Sequence, residues 1–166
     1  MNTLALKPDA DTAQAAEWTL AVGGFFRNFA LIELLSIEFV ARMADPFKYK
    51  SMKKKFLAQR LTWIAETIHE RTSDAEKAEA LIEVLESIRE ESYFRNVLAH
   101  GAAAFSAPEG DASPSLVGVL NFKPEDDAQD AEKISLEEIK GRGGESAALA
   151  AKLLACLNGM EFLPLG

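Results

Sequence analysis

Cysteine is almost absent from this chain. Its single thiol, Cys156, leaves no partner for an intramolecular disulfide, which suits a reducing compartment. Cys156 lies in an apolar helical stretch and reads as a small core residue. Histidine is nearly as scarce, with only His69 and His100. Glu66-x-x-His69 has the spacing of a di-iron bundle motif, but that motif needs a second copy, and the position three before His100 is Val97. We therefore expect no metal and no cofactor, and place His69 at the surface near a helix end. The N-terminal stretch, residues 1–16, lacks a basic start followed by an apolar run, so no signal peptide is expected and the protein reads as cytoplasmic. Long apolar runs are missing too. The most apolar stretch, Phe25 to Met43, is interrupted by Arg27, Asn28, Glu33, Glu38 and Arg42, the pattern of a buried globular helix and not of a membrane span. Gly141-Arg142-Gly143-Gly144 lacks the Lys-Ser/Thr pair of a phosphate loop and follows no strand. No serine or cysteine nucleophile stands in a familiar relation to a histidine.

Positive charge is in short supply. Eighteen Lys and Arg face 26 Asp and Glu, a formal net charge of -8. That balance argues against tight, nonspecific duplex DNA binding, which rests on many cationic contacts to phosphates. It leaves room for RNA at a locally basic cleft. The deficit is uneven: from Pro46 to Ala65 there is no acid, while Lys48, Lys50, Lys53, Lys54, Lys55 and Arg60 all fall there. The simplest reading is a solvated helix face.

What the chain does have is apolar mass: 48% hydrophobic residues, with ten Phe and two Trp. At 166 residues this predicts one domain over residues 1–166, with enough core to fold. Residues 1–9 read as a loose arm. Asp11 or Thr12 caps a first helix running to about Ala44, loosened at Gly23-Gly24, with Phe26, Phe29, Ala30, Ile37 and Val40 as its apolar stripe. Asp45-Pro46 ends it. A second helix is predicted from about Ser51 to Arg71, with Met52, Phe56, Leu57, Leu61, Ile64 and Ile68 inward. Ser73 with Glu76 forms a capping box for a third helix that continues to His100 and stops at Gly101. Residues 102–135 form an insertion: Ala102 to Ser106 and Ser115 to Phe122 pair as a hairpin, with mobile stretches at Ala107 to Pro114 and Glu125 to Glu132. Ser135 with Glu138 opens a last helix to about Asn158, weakened or split by Gly141, Gly143 and Gly144. The fold class is mainly α: an antiparallel bundle of about four to five helices with a small β-hairpin insertion before the last.

Chemistry concentrates at the end of the third helix, Tyr93-Phe94-Arg95-Asn96-Val97-Leu98-Ala99-His100-Gly101. Tyr93, Phe94, Val97, Leu98 and Ala99 surround the helix, so this turn is expected to be buried on most sides. Arg95 continues the line of Leu81, Leu85 and Ile88 and points inward or into a cleft, where a guanidinium needs a partner. Glu33, between Phe29 and Ile37 on the first helix, is the expected partner, most simply as a structural ion pair. Asn96 and His100, four apart, share a face, so Asn96 can orient the imidazole. The C-terminal dipole favours protonated His100. A cation, a polar positioner and a proton shuttle within one and a half turns suit phosphoryl chemistry. On residue types alone, such a trio more often serves to bind loose carbonyls and a buried acid.

The run RNVLAHG, Arg95 to Gly101, resembles the Arg-x4-His signature of the HEPN superfamily. Its placement is also similar: late in a long helix, after two earlier helices and before a variable insertion and a closing helix. The resemblance implies a helical bundle that dimerises and brings two Arg-His sets together across a cleft. It implies a metal-independent endoribonuclease, often of a toxin–antitoxin or phage-defence system. In it His100 transfers the proton at a ribose 2′-hydroxyl, Arg95 binds the scissile phosphate and Asn96 positions it, with Glu33 and Tyr93 in support. Lys53, Lys54, Lys55 and Arg60 would contribute to RNA binding, and an antitoxin is an expected protein partner. Other members of the superfamily are noncatalytic modules that bind a protein or nucleotide.

Overall fold

The computed structural model describes residues 10–100, 102–106, 115–119 and 132–164, with side chains for 16–96, 98–99 and 134–164. Five helices pack as a bundle: α1 (Ala10–Met43), α2 (Pro46–Met52), α3 (Leu57–Arg71), α4 (Ala75–His100) and α5 (Leu136–Gly159). Between α4 and α5 the backbone forms three short antiparallel strands, β1 (Ala102–Ser106), β2 (Ser115–Val119) and β3 (Glu132–Ile134), in the order β1-β2-β3. Ala102 stands opposite Val119, and Leu116 opposite Ile134. The stretches read from sequence as the loose arm and the mobile loops, 1–9, 107–114 and most of 125–132, lie outside the described residues.

α1 organises the bundle. Phe25, Phe29, Ile32, Ser36, Phe39 and Met43 are buried and alternate four and three residues apart, the spacing that keeps one helix face against its neighbours. This stripe is rotated from the one read in the sequence: Ala30 is exposed, and Phe26 and Ile37 are half-buried. The helix runs unbroken through Gly23 and Gly24. It serves two apolar clusters. The larger joins Ile32, Phe39 and Met43 to Leu61, Ile64 and Ile68 of α3, Leu81, Leu85 and Ile88 of α4, and Leu153 and Leu157 of α5. The smaller gathers Trp18, Phe25 and Phe29 with Phe94 of α4, Ile134, and Ile139 of α5. By length and composition, Ala16–Met43 also passes as a possible membrane span, with a mean hydropathy of 1.5; its buried face is the one that holds both clusters together.

The helix read from Ser51 to Arg71 is two helices. Asp45 caps α2, its Oδ1 accepting from the backbone N–H groups of Phe47 (2.8 Å) and Lys48 (2.9 Å), and Pro46 supplies the fixed backbone angle favoured at a first helical position. A turn at Lys53-Lys54-Lys55 separates it from α3. Phe56, expected inside, instead precedes the first turn of α3 and is 83% exposed. Its backbone N–H donates to the Gln59 side chain at 3.3 Å. Asp74, not Ser73, caps α4, accepting from the Lys77 N–H at 3.1 Å. Ser135 caps α5 as expected, accepting from the Glu138 N–H at 3.0 Å.

α5 is continuous across Gly141, Gly143 and Gly144. The carbonyl of Gly143 accepts from Asn28 Nδ2 of α1 (2.9 Å) and from Ser146 Oγ (3.0 Å). Tertiary contact to α1 thus holds a turn whose glycines would favour fraying on their own.

Candidate functional site

α3 and α4 run antiparallel, and their side-chain contacts give the register. His69 Nε2 meets Glu79 Oε1 at 3.3 Å, and Arg89 Nη2 donates to Thr62 Oγ1 at 3.1 Å. The start of α3, with the lysine turn before it, therefore lies beside the last turns of α4, where Arg95 stands.

Arg95 is held from two sides. Its Nη2 donates to Glu33 Oε1 of α1 at 3.4 Å, and its Nη1 to Asn96 Oδ1 at 3.2 Å. The Glu33 pairing expected from sequence is present, across 62 residues of chain. Its setting is wetter than expected, since the side chains of Arg95 and Glu33 are 31% and 40% exposed. A pair in such a setting orients the guanidinium without strongly stabilising the fold. The end of α4 is likewise more open than the sequence suggests. Phe94 is buried in the smaller cluster, but Tyr93 is 59% exposed, and Asn96 and Ala99 face solvent. The reason is packing: α1 and α5 meet this turn on the Phe94 side, and Tyr93, Asn96 and Ala99 lie away from that contact. Asn96 turns its amide oxygen to Arg95. The side chain of His100 lies outside the described residues, so the Asn96–His100 pairing does too; the backbone of His100 ends α4.

The basic segment divides by role. Arg60, grouped from sequence with the lysines as an RNA contact, is only 5% exposed. Its Nε donates to Ser36 Oγ of α1 at 2.8 Å and its Nη1 to the Lys55 carbonyl. Burial lowers its pKa from the ordinary value, while the nearby Glu33 carboxylate pulls the other way. Arg60 is thus a fastener that ties the lysine turn to α1, and it corrects the sequence reading. Lys53, Lys54 and Lys55 are exposed. Glu33 stands between the two arginines, bonded to Arg95 and close enough to Arg60 to act on its charge. The lysine turn and the Arg95 end of α4 therefore belong to one neighbourhood.

A second polar group is not legible in the sequence. Arg142 of α5 donates to Glu91 Oε2 at 2.9 Å and stacks over the Phe94 ring at 4.5 Å. Glu91 is 5% exposed, and dehydration raises its carboxyl pKa above the ordinary value despite Arg142, with Glu145 adding like-charge repulsion. Its other oxygen, Oε1, is buried without a hydrogen-bond partner among the described residues. Ser87, Glu90, Arg142, Glu145 and Lys152 line an open groove beside it. The glycines around Arg142 hid this pairing, because they read as a helix break. Among the described residues there is no cluster of His, Cys, Asp or Glu able to hold a metal ion.

Comparison with family models, with curated proteins and with solved structures finds no match to this chain.

Proposed function

We propose that this chain is a HEPN-like, metal-independent endoribonuclease acting as a cytoplasmic homodimer, in a toxin–antitoxin or phage-defence setting. The observation that carries the reading is the Arg95 guanidinium. It is oriented by Glu33 and Asn96, is one-third open to solvent, and is linked through Glu33 and Arg60 to the turn that carries an exposed run of lysines. Such a group can meet a phosphate without first being unburied. In the proposed reaction the neutral form of His100 takes the proton from a ribose 2′-hydroxyl. The 2′-oxygen forms a bond to phosphorus, the bond to the 5′-oxygen breaks, and a proton returns to that leaving oxygen. Arg95 binds the phosphate as charge builds on it. The products are a cyclic phosphate end and a free 5′-hydroxyl.

Homodimer formation is supported by the side of α1 opposite its buried stripe, where Leu20, Leu31 and Leu34 are exposed at 75%, 42% and 62%. A noncatalytic module that binds a protein partner, such as an antitoxin, or a nucleotide is the second reading. It is favoured by the existing engagement of Arg95 with Glu33 and by the acidity of the chain.

The test is cleavage of mixed cellular RNA in the presence of chelator, comparing wild type with His100→Ala and Arg95→Ala. The expected result is cleavage by wild type alone, leaving cyclic phosphate ends. An active, folded His100→Ala protein refutes the mechanism. Inactivity of all three folded proteins at high concentration favours the binding module.

A further inference from the structure

Two of the most exposed large apolar side chains in the described structure flank the lysine turn. Phe47, at the start of α2, is 86% exposed, and Phe56, just before α3, is 83% exposed. A phenyl ring left in water is unfavourable, and two of them bracketing one short basic segment are free to stack on a ligand. Between them lie Lys48, Lys50, Lys53, Lys54 and Lys55, with no acid from Pro46 to Ala65. None of these five lysines is paired with a carboxylate among the described residues. Lys48 lies over the Trp63 ring at 5.7 Å and Lys53 over the Tyr49 ring at 5.2 Å, so the segment is braced. On a chain of net charge -8 it is a local basic island. The Arg60 bond to the Lys55 carbonyl anchors it to α1.

We infer that α2 and the lysine turn form a platform for single-stranded RNA, with Phe47 and Phe56 stacking on bases and the intervening lysines following the phosphates. Protruding rings with cations between them match the two surfaces a single strand offers, exposed base faces and a charged backbone. A duplex conceals its base faces, so the rings would add nothing to its binding. A lipid surface fits less well. α2 turns Met52 into the core and Tyr49 partly against it, which leaves no continuous outward apolar face to lie in a bilayer. The inference rests on the ribonuclease reading for its ligand class and names the substrate form that the same site would take.

The experiment measures equilibrium binding of a labelled 15-nucleotide oligouridine, and of a 15-base-pair RNA duplex, to full-length His100→Ala protein, in which the proposed cleavage is silenced. The expected result is preference for the single strand. Phe47→Ala/Phe56→Ala lowers single-strand affinity at least about tenfold, the scale of a lost stacking contact, with duplex affinity unchanged. Phe47→Tyr/Phe56→Tyr restores it. Changing Lys53, Lys54 and Lys55 together to Gln weakens both ligands and reduces the slope of log affinity against log salt by about 2. Equal affinity for duplex and single strand, or an unaffected double Phe variant, overturns the platform. So does binding to vesicles of anionic phospholipid in place of RNA. The two rings are exposed, so the variants are expected to keep the wild-type melting temperature. Binding here is read without cleavage: a wild type that binds the single strand but never cuts it refutes the ribonuclease reading and leaves the platform standing.

Discussion

The buried Arg60 invites a comparison between removing the cation and removing its partner. Arg60 Nε donates to Ser36 Oγ at 2.8 Å, and Ser36 Oγ in turn donates to its own helix at the Glu33 carbonyl, 2.7 Å away. One guanidinium nitrogen, Nη2, is already buried without a partner among the described residues. Ser36→Ala leaves a second nitrogen of a buried cation unsatisfied. A hydrogen bond to a charged group contributes about 1.5–3 kcal/mol, and orphaning the donor costs its full dehydration. The expected loss is therefore about 2 kcal/mol, or roughly 4–8 °C in Tm for a domain of this size. Arg60→Met behaves differently. Ser36 keeps its acceptor in the helix, the Lys55 carbonyl lies at an exposed turn where water can reach it, and the dehydration of the cation disappears. That variant is expected to stay within about 1 kcal/mol of wild type, and the Ser36→Ala/Arg60→Met double variant to be more stable than Ser36→Ala alone. Urea denaturation followed by circular dichroism measures all three. Hydrogen exchange on Arg60→Met adds the local readout: amides of residues 53–57 exchange faster while the core is unchanged. If Arg60→Met proves more destabilising than Ser36→Ala, the dehydration argument is wrong and the arginine is a net stabiliser of the bundle.

Three further outcomes are expected. Phe25→Ala removes a fully buried ring that meets Phe29 at 5.1 Å and Phe94 at 5.4 Å, and should cost about 3–5 kcal/mol in chemical denaturation. Glu33→Gln, at a pair that is 31% and 40% exposed, should change stability by less than about 1 kcal/mol, while cleavage assays show the loss of a correctly oriented Arg95. Glu91 has a folded-state pKa raised above its ordinary 4.5 by dehydration. The folded protein therefore takes up this proton more readily than the unfolded chain, and stability from this group falls as pH rises from below 4.5 through the raised value. Melting curves should accordingly show Glu91→Gln faring better against wild type at pH 7 than at pH 4, and the reverse order would contradict the assignment of dehydration as the dominant influence.

Local chemistry made several features readable in advance. Asp45-Pro46 is both a stop and a start, and Ser135 is a cap whichever neighbours surround it. Glu33 could be matched to Arg95 because each continues an apolar stripe of its helix, where a charge needs a partner. The break at Lys53-Lys54-Lys55 was not readable, since Met52, Phe56 and Leu57 fit one apolar helical face and only the assembled fold reveals Phe56 outside. Charge groups Arg60 with the lysines, whereas its spacing to Leu57, Leu61 and Ile64 places it on the core side of α3. At Gly141 to Gly144 intrinsic preference argued for a break, and the bond from Asn28 to the Gly143 carbonyl outweighed it. The Arg142–Glu91 pair depends on that continuity and was concealed with it.

The apolar stripe of α1 finds much of its cover on α5, at the far end of the described chain. During synthesis the first helix is made long before the last. At about 5–20 residues per second, its phenylalanines wait on the order of ten seconds for Leu136–Gly159 to leave the ribosome. Closing that contact is a long-range event that local helix formation cannot hasten. Until then the part of the α1 face that α5 covers stays open, and chaperones that bind exposed apolar segments have their longest access to it before α5 arrives.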